Sequence, residues 1–421
     1  MRFACQSGHV GPLQQPLQRG GASGVHRLHA PREPGRASSH RRQRRPPNIG
    51  VPADVPTRSR QTANGARLKP VTEDVRRWLT ALPKAELHVH LEGTVAPQSL
   101  RRIGRRNGVT LPANVDELYA CHDFQSFLRA FVQVVRVLQR PDDFYEITTE
   151  YLELVRQQGV RHVEFLFSPA TLRHFFANTD LETIVGAIHA ASQSACAAHG
   201  ISSLLIFDMV RNLGVEAAAA DIELAIRCRQ FGVVGVGLGG DEAKFPARDF
   251  KNVYARAKSA GLALTAHAGE AAGADSVDDA VLLLGATRIG HGTAAVGHPN
   301  TLSLLLQKQI SIDVCPSSNE ITGAWNQTQP HPLLAFLDAK IPVMLSSDDP
   351  AFFQTTLVSE YEKAAALGVG RADLAQIAAD SFRHSFAADS EKSTWLQALR
   401  AYTGGEPHGG SVYCGRPGVT L

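Results

Sequence analysis

The sequence predicts a closed parallel (β/α)8 barrel of the TIM type, and three observations carry that prediction. Beyond residue 71, short apolar runs rich in β-branched residues recur eight times. Longer amphipathic stretches separate them. Histidines and carboxylates gather where the runs end. Strand and helix alternating eight times is the pattern of a parallel barrel inside a ring of helices, and such barrels keep their chemistry at the carboxyl ends of the strands. An open doubly wound sheet is the alternative architecture, because strand order is not written in a repeat count.

In chain order, residues 1–70 come first and are expected to be a disordered tail. They hold twelve Arg and one Lys against Glu33 and Asp54, with Pro, Gly and Gln and few large apolar residues. Such a stretch buries too little surface to offset its ordering entropy. Its cluster "SHRRQRRPP" suits an organelle leader or an anionic surface as well as a solvated tail, and the tail is favoured because a basic run alone is weak evidence. The first strand is expected over 86–91, followed by extra helices across 97–138 and a helix over 142–158. Strands two to four fall at 160–167, 203–209 and 233–239, and strands five to eight at 263–267, 288–291, 310–314 and 341–346. Helices over 181–199, 215–230, 249–260 and 277–284 lie between them. In the first of these, Leu181, Ile184, Val185 and Ile188 repeat at helical spacing. Terminal helices are expected over 355–367, 371–386 and 390–402, with a flexible tail at 406–421. The barrel domain is thus 71–405.

The chain has 421 residues, 43% hydrophobic and 20% charged, which is enough to bury one large core. Its net charge of +3 hides an asymmetry: the first 70 residues carry +11, which leaves −8 for the rest. An acidic body argues against nucleic acid as its partner. No apolar run of about 18 residues exists to span a membrane. The six cysteines are scattered without a C-x-x-C pair, as expected of reduced thiols in a cytoplasmic protein.

The chemistry is read from the strand ends. In "AELHVHLEG", His88 and His90 are two residues apart, so both project to one face of a strand. Two imidazoles so placed suit a first-row metal such as zinc, and His267 and Asp348 would complete its protein ligands. An open position left for water would make the site catalytic. His291, at the end of the sixth strand, would accept the proton of that water or hold the water in line. Glu270 stands three residues past His267, where it could give a proton to the substrate. Asp348 and Asp349 are adjacent, so in an extended backbone one would face the metal and the other the substrate. Each residue alone has a blander explanation as an interior histidine, a turn or a solvated charge; their coincidence at strand ends favours a site. "GVGLGG" at 235–240 matches a dinucleotide fingerprint, but Asp241 and Glu242 follow at once and would repel phosphates. The glycines are better used to let backbone approach a flat ligand.

Together "PKAELHVHLEG", "GGDE", "HAGE", "RIGHG" and "SSDDP" resemble the adenosine deaminase family over about residues 82–386. The resemblance implies a metal-dependent hydrolase barrel with one Zn2+ per chain, hydrolysing a 6-aminopurine to a 6-oxopurine and ammonia. It implies zinc on His88, His90, His267 and Asp348. It implies Glu270 as proton donor to the ring and His291 as the group that orients and deprotonates water. Substrate contacts would come from His90, from Glu92 near a sugar, from the Gly240 N–H and from Asp349. Members dedicated to adenosine usually have Asp where this chain has Glu92; Glu is more typical of relatives acting on adenine or aminodeoxyfutalosine. The adenine branch usually carries a Ser-Ser-Glu-like sequence in place of "GGDE" and "DHG" in place of "GHG". The sequence therefore leans to a small-molecule purine nucleoside of the adenosine type, with aminodeoxyfutalosine and then adenine as alternatives. Ser346 replaces a common Asn, for which tuning is expected. A two-metal amidohydrolase would need a bridging Lys, for which Lys244 and Lys340 are the nearest candidates. A binding protein that has lost catalysis is disfavoured, because every expected catalytic residue is present.

Overall fold

Eight parallel strands run in sequential order: β1 (Lys84–His90), β2 (Val160–Phe167), β3 (Ser202–Val210), β4 (Val233–Gly239), β5 (Ala263–Ala268), β6 (Arg288–His291), β7 (Ser311–Val314) and β8 (Val343–Leu345). The structure is a computed structural model that describes residues 70–326 and 328–404. Apart from Pro70, the tails expected at 1–70 and 406–421 lie outside the described residues.

The strands are almost wholly buried, as the strands of a parallel barrel are when helices cover the outside and side chains fill the inside. β8 meets β1 through a parallel bridge between Val89 and Asp348. The Asp348 N–H donates to the His88 carbonyl at 3.1 Å, and the His90 N–H donates to the Asp348 carbonyl at 2.9 Å. The barrel therefore closes through three residues predicted to ligate metal.

The expected elements are present with small shifts. The eighth strand is three residues long, against the six predicted, because Pro342 has no N–H for the ladder and offers only its carbonyl, to Ile312 at 3.0 Å. The helix expected over 277–284 is an α-helix Ala274–Asp279 that widens into a π turn, Ala280–Leu284, and stops at Gly285 with φ +72°. The segment after β1 carries helices Pro97–Arg106 and Phe124–Val135, as expected of the long first connection.

Buried polar groups also lie below the mouth. At the amino end of β1, the buried Lys84 ammonium donates to the carbonyls of Leu79 (2.7 Å), Leu82 (3.0 Å) and Gln158. Higher up, Glu86 accepts from the Tyr151 hydroxyl at 2.7 Å and from the Ser347 N–H at 3.1 Å. Arg288, wholly buried, pairs with Glu164 at 2.7 Å and Asp313 at 3.0 Å. Among the described residues, no helix is long and apolar enough to cross a membrane, and Cys121, Cys196, Cys228 and Cys315 form no disulfide.

Candidate metal and active site

β1 delivers His88 and His90 to the mouth, and β5, β6 and β8 deliver His267, His291 and Asp348 beside them. Asp348 Oδ1 lies 3.4 Å from both His88 Nε2 and His90 Nε2. His90 Nε2 and His267 Nε2 are 3.3 Å apart. Atoms about 2.0–2.1 Å from a shared tetrahedral centre lie about 3.3–3.4 Å from one another, so these edges have the length a zinc site requires. His88 Nε2 and Asp348 Oδ1 are buried without a hydrogen-bond partner. Buried polar atoms are normally partnered, and a pair left open face to face fits a missing cation. The ligand atoms of His88, His267, His291 and Asp348 all lie within 4.8 Å of one another, as do those of His90, Asp348 and Asp349. Asp348 is common to both groups.

The electrostatics agree with metal ligation at His90, His267 and Asp348, whereas at His88 burial is outweighed by the contact with Asp348 and the charges of Asp348, Asp313 and Asp208, which push the imidazole up. Burial pushes His90 down to about 3. Burial, then the neighbouring His88 and His291, hold His267 well below the usual histidine range. Both imidazoles are therefore neutral at pH 7, with a lone pair to offer. Burial would raise Asp348, but contact with His88 and the charges of His291, His88 and His90 outweigh it and hold this carboxyl well below its usual range. Burial pushes Glu270 up, Glu92 up to about 7, and Asp349 well above the carboxylate range, the last with help from the Asp348 charge. One anion thus stands among carboxyls biased to keep their protons.

Asp348 and Asp349 do not take the extended backbone expected, and their carboxylates stay close enough for both to lie within 4.8 Å of the same His90 nitrogen. Asp348 sits in the left-handed region with φ +64°, and His291 does the same. Such conformations are costly for residues other than glycine and concentrate where function requires them. Asp349 turns toward Gly93, where a Cβ would come within 2.0 Å of its Oδ1. Glu270 Oε2 and Asp348 Oδ2 lie 3.7 and 3.8 Å from His291 Nε2, so acid, base and ligand set share one volume. Glu92 is fully buried: one oxygen accepts the Ser168 N–H at 3.0 Å and the other has no partner. Gly240 stands at the end of β4 with φ +98°. Ser346 Oγ accepts the His88 N–H at 3.2 Å, so serine serves as a support for β1. Lys244 is exposed and bonded to Asp241, and Lys340 precedes β8 at the far end of the barrel, so neither is a bridging ligand.

Three neighbours were not anticipated. Asp208 of β3 lies 3.9 Å from the Nδ1 atoms of both His90 and His267. Asp313 of β7 lies 4.0 Å from His88 Nδ1. Asn319 lies 2.9 Å from His291 Nδ1, with its amide oxygen unpartnered. With the amide turned so that this oxygen accepts Nδ1–H, Nε2 is left as the acceptor that a base needs. The available signal was a lone acid inside an otherwise apolar strand, in "IFDM" and "SIDV". Asp208 also corrects the expected use of the glycines before Gly240. A Cβ on Gly237 or Gly239 would come within 2.8 or 2.6 Å of an Asp208 oxygen, and one on Gly235 within 2.7 Å of the Ala263 carbonyl. These three make room for protein, not for a flat ligand.

A parallel eight-stranded barrel with imidazoles and a carboxylate converging at its carboxyl end defines the class of metal-dependent hydrolases. Within that class the chain belongs to the adenosine deaminase family, whose model, described as "Adenosine deaminase", matches residues 83–402. The protein is a hydrolytic deaminase acting on a C–N bond. It is 36% identical over 349 residues to an adenine deaminase of Ralstonia nicotianae, covering 79% of this chain and all of the relative. Among solved structures, it resembles the adenine deaminase of Arthrobacter aurescens with a TM-score of 0.73 and 32% identity, covering 77% of this chain and 100% of that one. An amidohydrolase of Burkholderia ambifaria with bound Zn matches with a TM-score of 0.75 and 26% identity, covering 82% of this chain and 97% of that one.

Proposed function

We propose that this protein hydrolyses the exocyclic amine of a 6-aminopurine, with one zinc ion per chain held by His88, His90, His267 and Asp348. The three 3.3–3.4 Å edges that link these four groups, with Glu270 and His291 in the same volume, are the observation that carries the reading. Bound there, zinc supplies Lewis acidity and lowers the pKa of a coordinated water to about 7. His291 Nε2 takes a proton from the attacking water. Glu270, whose pKa burial raises, gives its proton to the ring nitrogen beside the reacting carbon and makes that carbon electrophilic. Asp349 bonds the imidazole side of the purine and the Gly240 N–H its pyrimidine side, while His90 and Glu92 border the ligand.

For the substrate, adenine is the first choice. The relatives at 36% and 32% identity are named adenine deaminase, and Glu92, at the position expected to meet a sugar, is fully buried. A nucleoside, adenosine or aminodeoxyfutalosine, is the second reading, favoured by "GGDE" and "IGHG". A panel of adenine, adenosine, deoxyadenosine and aminodeoxyfutalosine, followed by ammonia release, separates the two. The highest kcat/KM names the substrate. Equal, negligible turnover of all four would sink the proposal. Nothing in the described residues calls for nucleic acid or a membrane as partner, and a cytoplasmic location remains part of this proposal.

A further inference from the structure

Glu242, the last residue of "GGDE", is buried and turned away from the ligand cluster. One of its oxygens accepts the Gly269 N–H at 2.6 Å. The other accepts the N–H groups of Glu270 (3.0 Å), Ala271 (2.9 Å) and Ala272 (3.1 Å). The Ser276 hydroxyl donates to the first oxygen, the one that also accepts from Gly269. Four successive backbone donors and a hydroxyl thus converge on one carboxylate. Gly269, at φ +69°, makes the turn that points these donors inward. A concave row of N–H groups is an anion cradle, and here the protein fills it with its own side chain.

The cradle is the loop that carries Glu270. The loop borders a cavity of about 440 Å³, lined by Glu270, Ala271, Ala272, Phe124, Thr293 and Thr322 among others. The start of the turn is also held from the 293–294 segment, where the Gly269 carbonyl accepts from the Thr293 hydroxyl at 2.7 Å and from the Ala294 N–H at 2.9 Å, but residues 270–272 take their backbone support from Glu242. Two residues before Glu242 stands Gly240, whose turn is held by the Asp241 N–H donating to Asn212 Oδ1 at 2.9 Å. The segment 240–242 thus ties the two groups assigned to the pyrimidine side of the substrate, the Gly240 N–H and the Glu270 carboxyl, into one frame.

We infer that Glu242 is a positioning residue: it braces the turn 269–272 so that Glu270 meets the ring nitrogen in register with the Gly240 N–H. This rests on the role given to Glu270 above. A double-mutant cycle on the metal-loaded enzyme tests it, comparing E242Q, E270Q and the pair with the best purine substrate. Glu270→Gln should lower kcat about 10²- to 10⁴-fold, the range of a lost general acid. Glu242→Gln offers one carbonyl oxygen where two carboxylate oxygens served. It should lower kcat about 10- to 100-fold, change KM less than about threefold and leave zinc content unaltered. In the E270Q background the same substitution should cost less than about threefold, because groups that act through one another are not additive. An equal loss in both backgrounds, or a loss that tracks zinc content, overturns the brace. An E270Q enzyme as active as the parent overturns the role of Glu270 instead. Should E242Q fail to fold, Ser276→Ala removes a single donor from the same carboxylate. It should cost about three- to tenfold in kcat, only where Glu270 is present, and an unchanged kcat there contradicts the proposal.

Discussion

His291 and Asp348 reach the site through backbone conformations that residues with side chains seldom adopt, both at φ +64°. Buried groups around them hold opposite charge states: His90 and His267 neutral, Asp348 ionised, Glu270 biased toward its acid form. That bias gives a signed prediction. In the role proposed for Glu270 its protonated form is the working one, so kcat/KM should hold on the acid side and fall as pH rises through its raised pKa. Glu270→Gln should abolish that limb in a pH–rate profile; a limb that survives belongs to another group. The grouping of His88, His90, His267, Glu270, His291 and Asp348 was legible in the sequence because each falls at or just past the end of a predicted strand, where the fold exposes side chains. Asp208, Asp313 and Asn319 were not. Each is a single polar residue whose meaning depends on which ring lies across the barrel, and that relation is absent from a linear chain.

The strands place these residues only because small neighbours leave space. A Cβ on Gly290 of β6 would lie 2.5 Å from His88 Cε1 and 2.9 Å from its Nδ1. We predict that Gly290→Ala displaces His88 and lowers zinc content at least tenfold after dialysis, measured by metal analysis, with the circular dichroism of the fold retained. Beneath the ligands, Arg288 neutralises Glu164 and Asp313, and Asp313 in turn faces His88. Arg288→Met would leave two buried carboxylates without their cation, so denaturant unfolding should show a loss of about 3–5 kcal/mol. A loss under about 1 kcal/mol would mean that water or proton uptake compensates. At this scale the sequence was informative for β2, β4 and β6, whose predicted bounds coincide with the observed ones. It was less so for β8, shortened by Pro342, and for the π turn Ala280–Leu284, since apolar periodicity cannot distinguish a widened turn from a regular one.

The closure of the barrel runs through the proposed metal site, because β1 and β8 are joined through His88, Val89, His90 and Asp348. An ion bound there holds the closing seam from both sides. Removing it with a chelator should lower the midpoint of thermal unfolding, and re-addition should restore it. A ligand at a thousandfold excess over its Kd adds about 4 kcal/mol. An unchanged midpoint would place the ion elsewhere. The architecture was legible because eight strand–helix repeats admit few topologies; the closure was inferred from that count, and hydrogen bonding between β8 and β1 supplies it. The most direct test is to titrate Zn2+ into the chelated protein while following ammonia release from adenine and from adenosine. The account predicts that activity on a 6-aminopurine returns in proportion to added zinc and saturates at about one ion per chain. Saturation at two ions, or full activity without any, would contradict it.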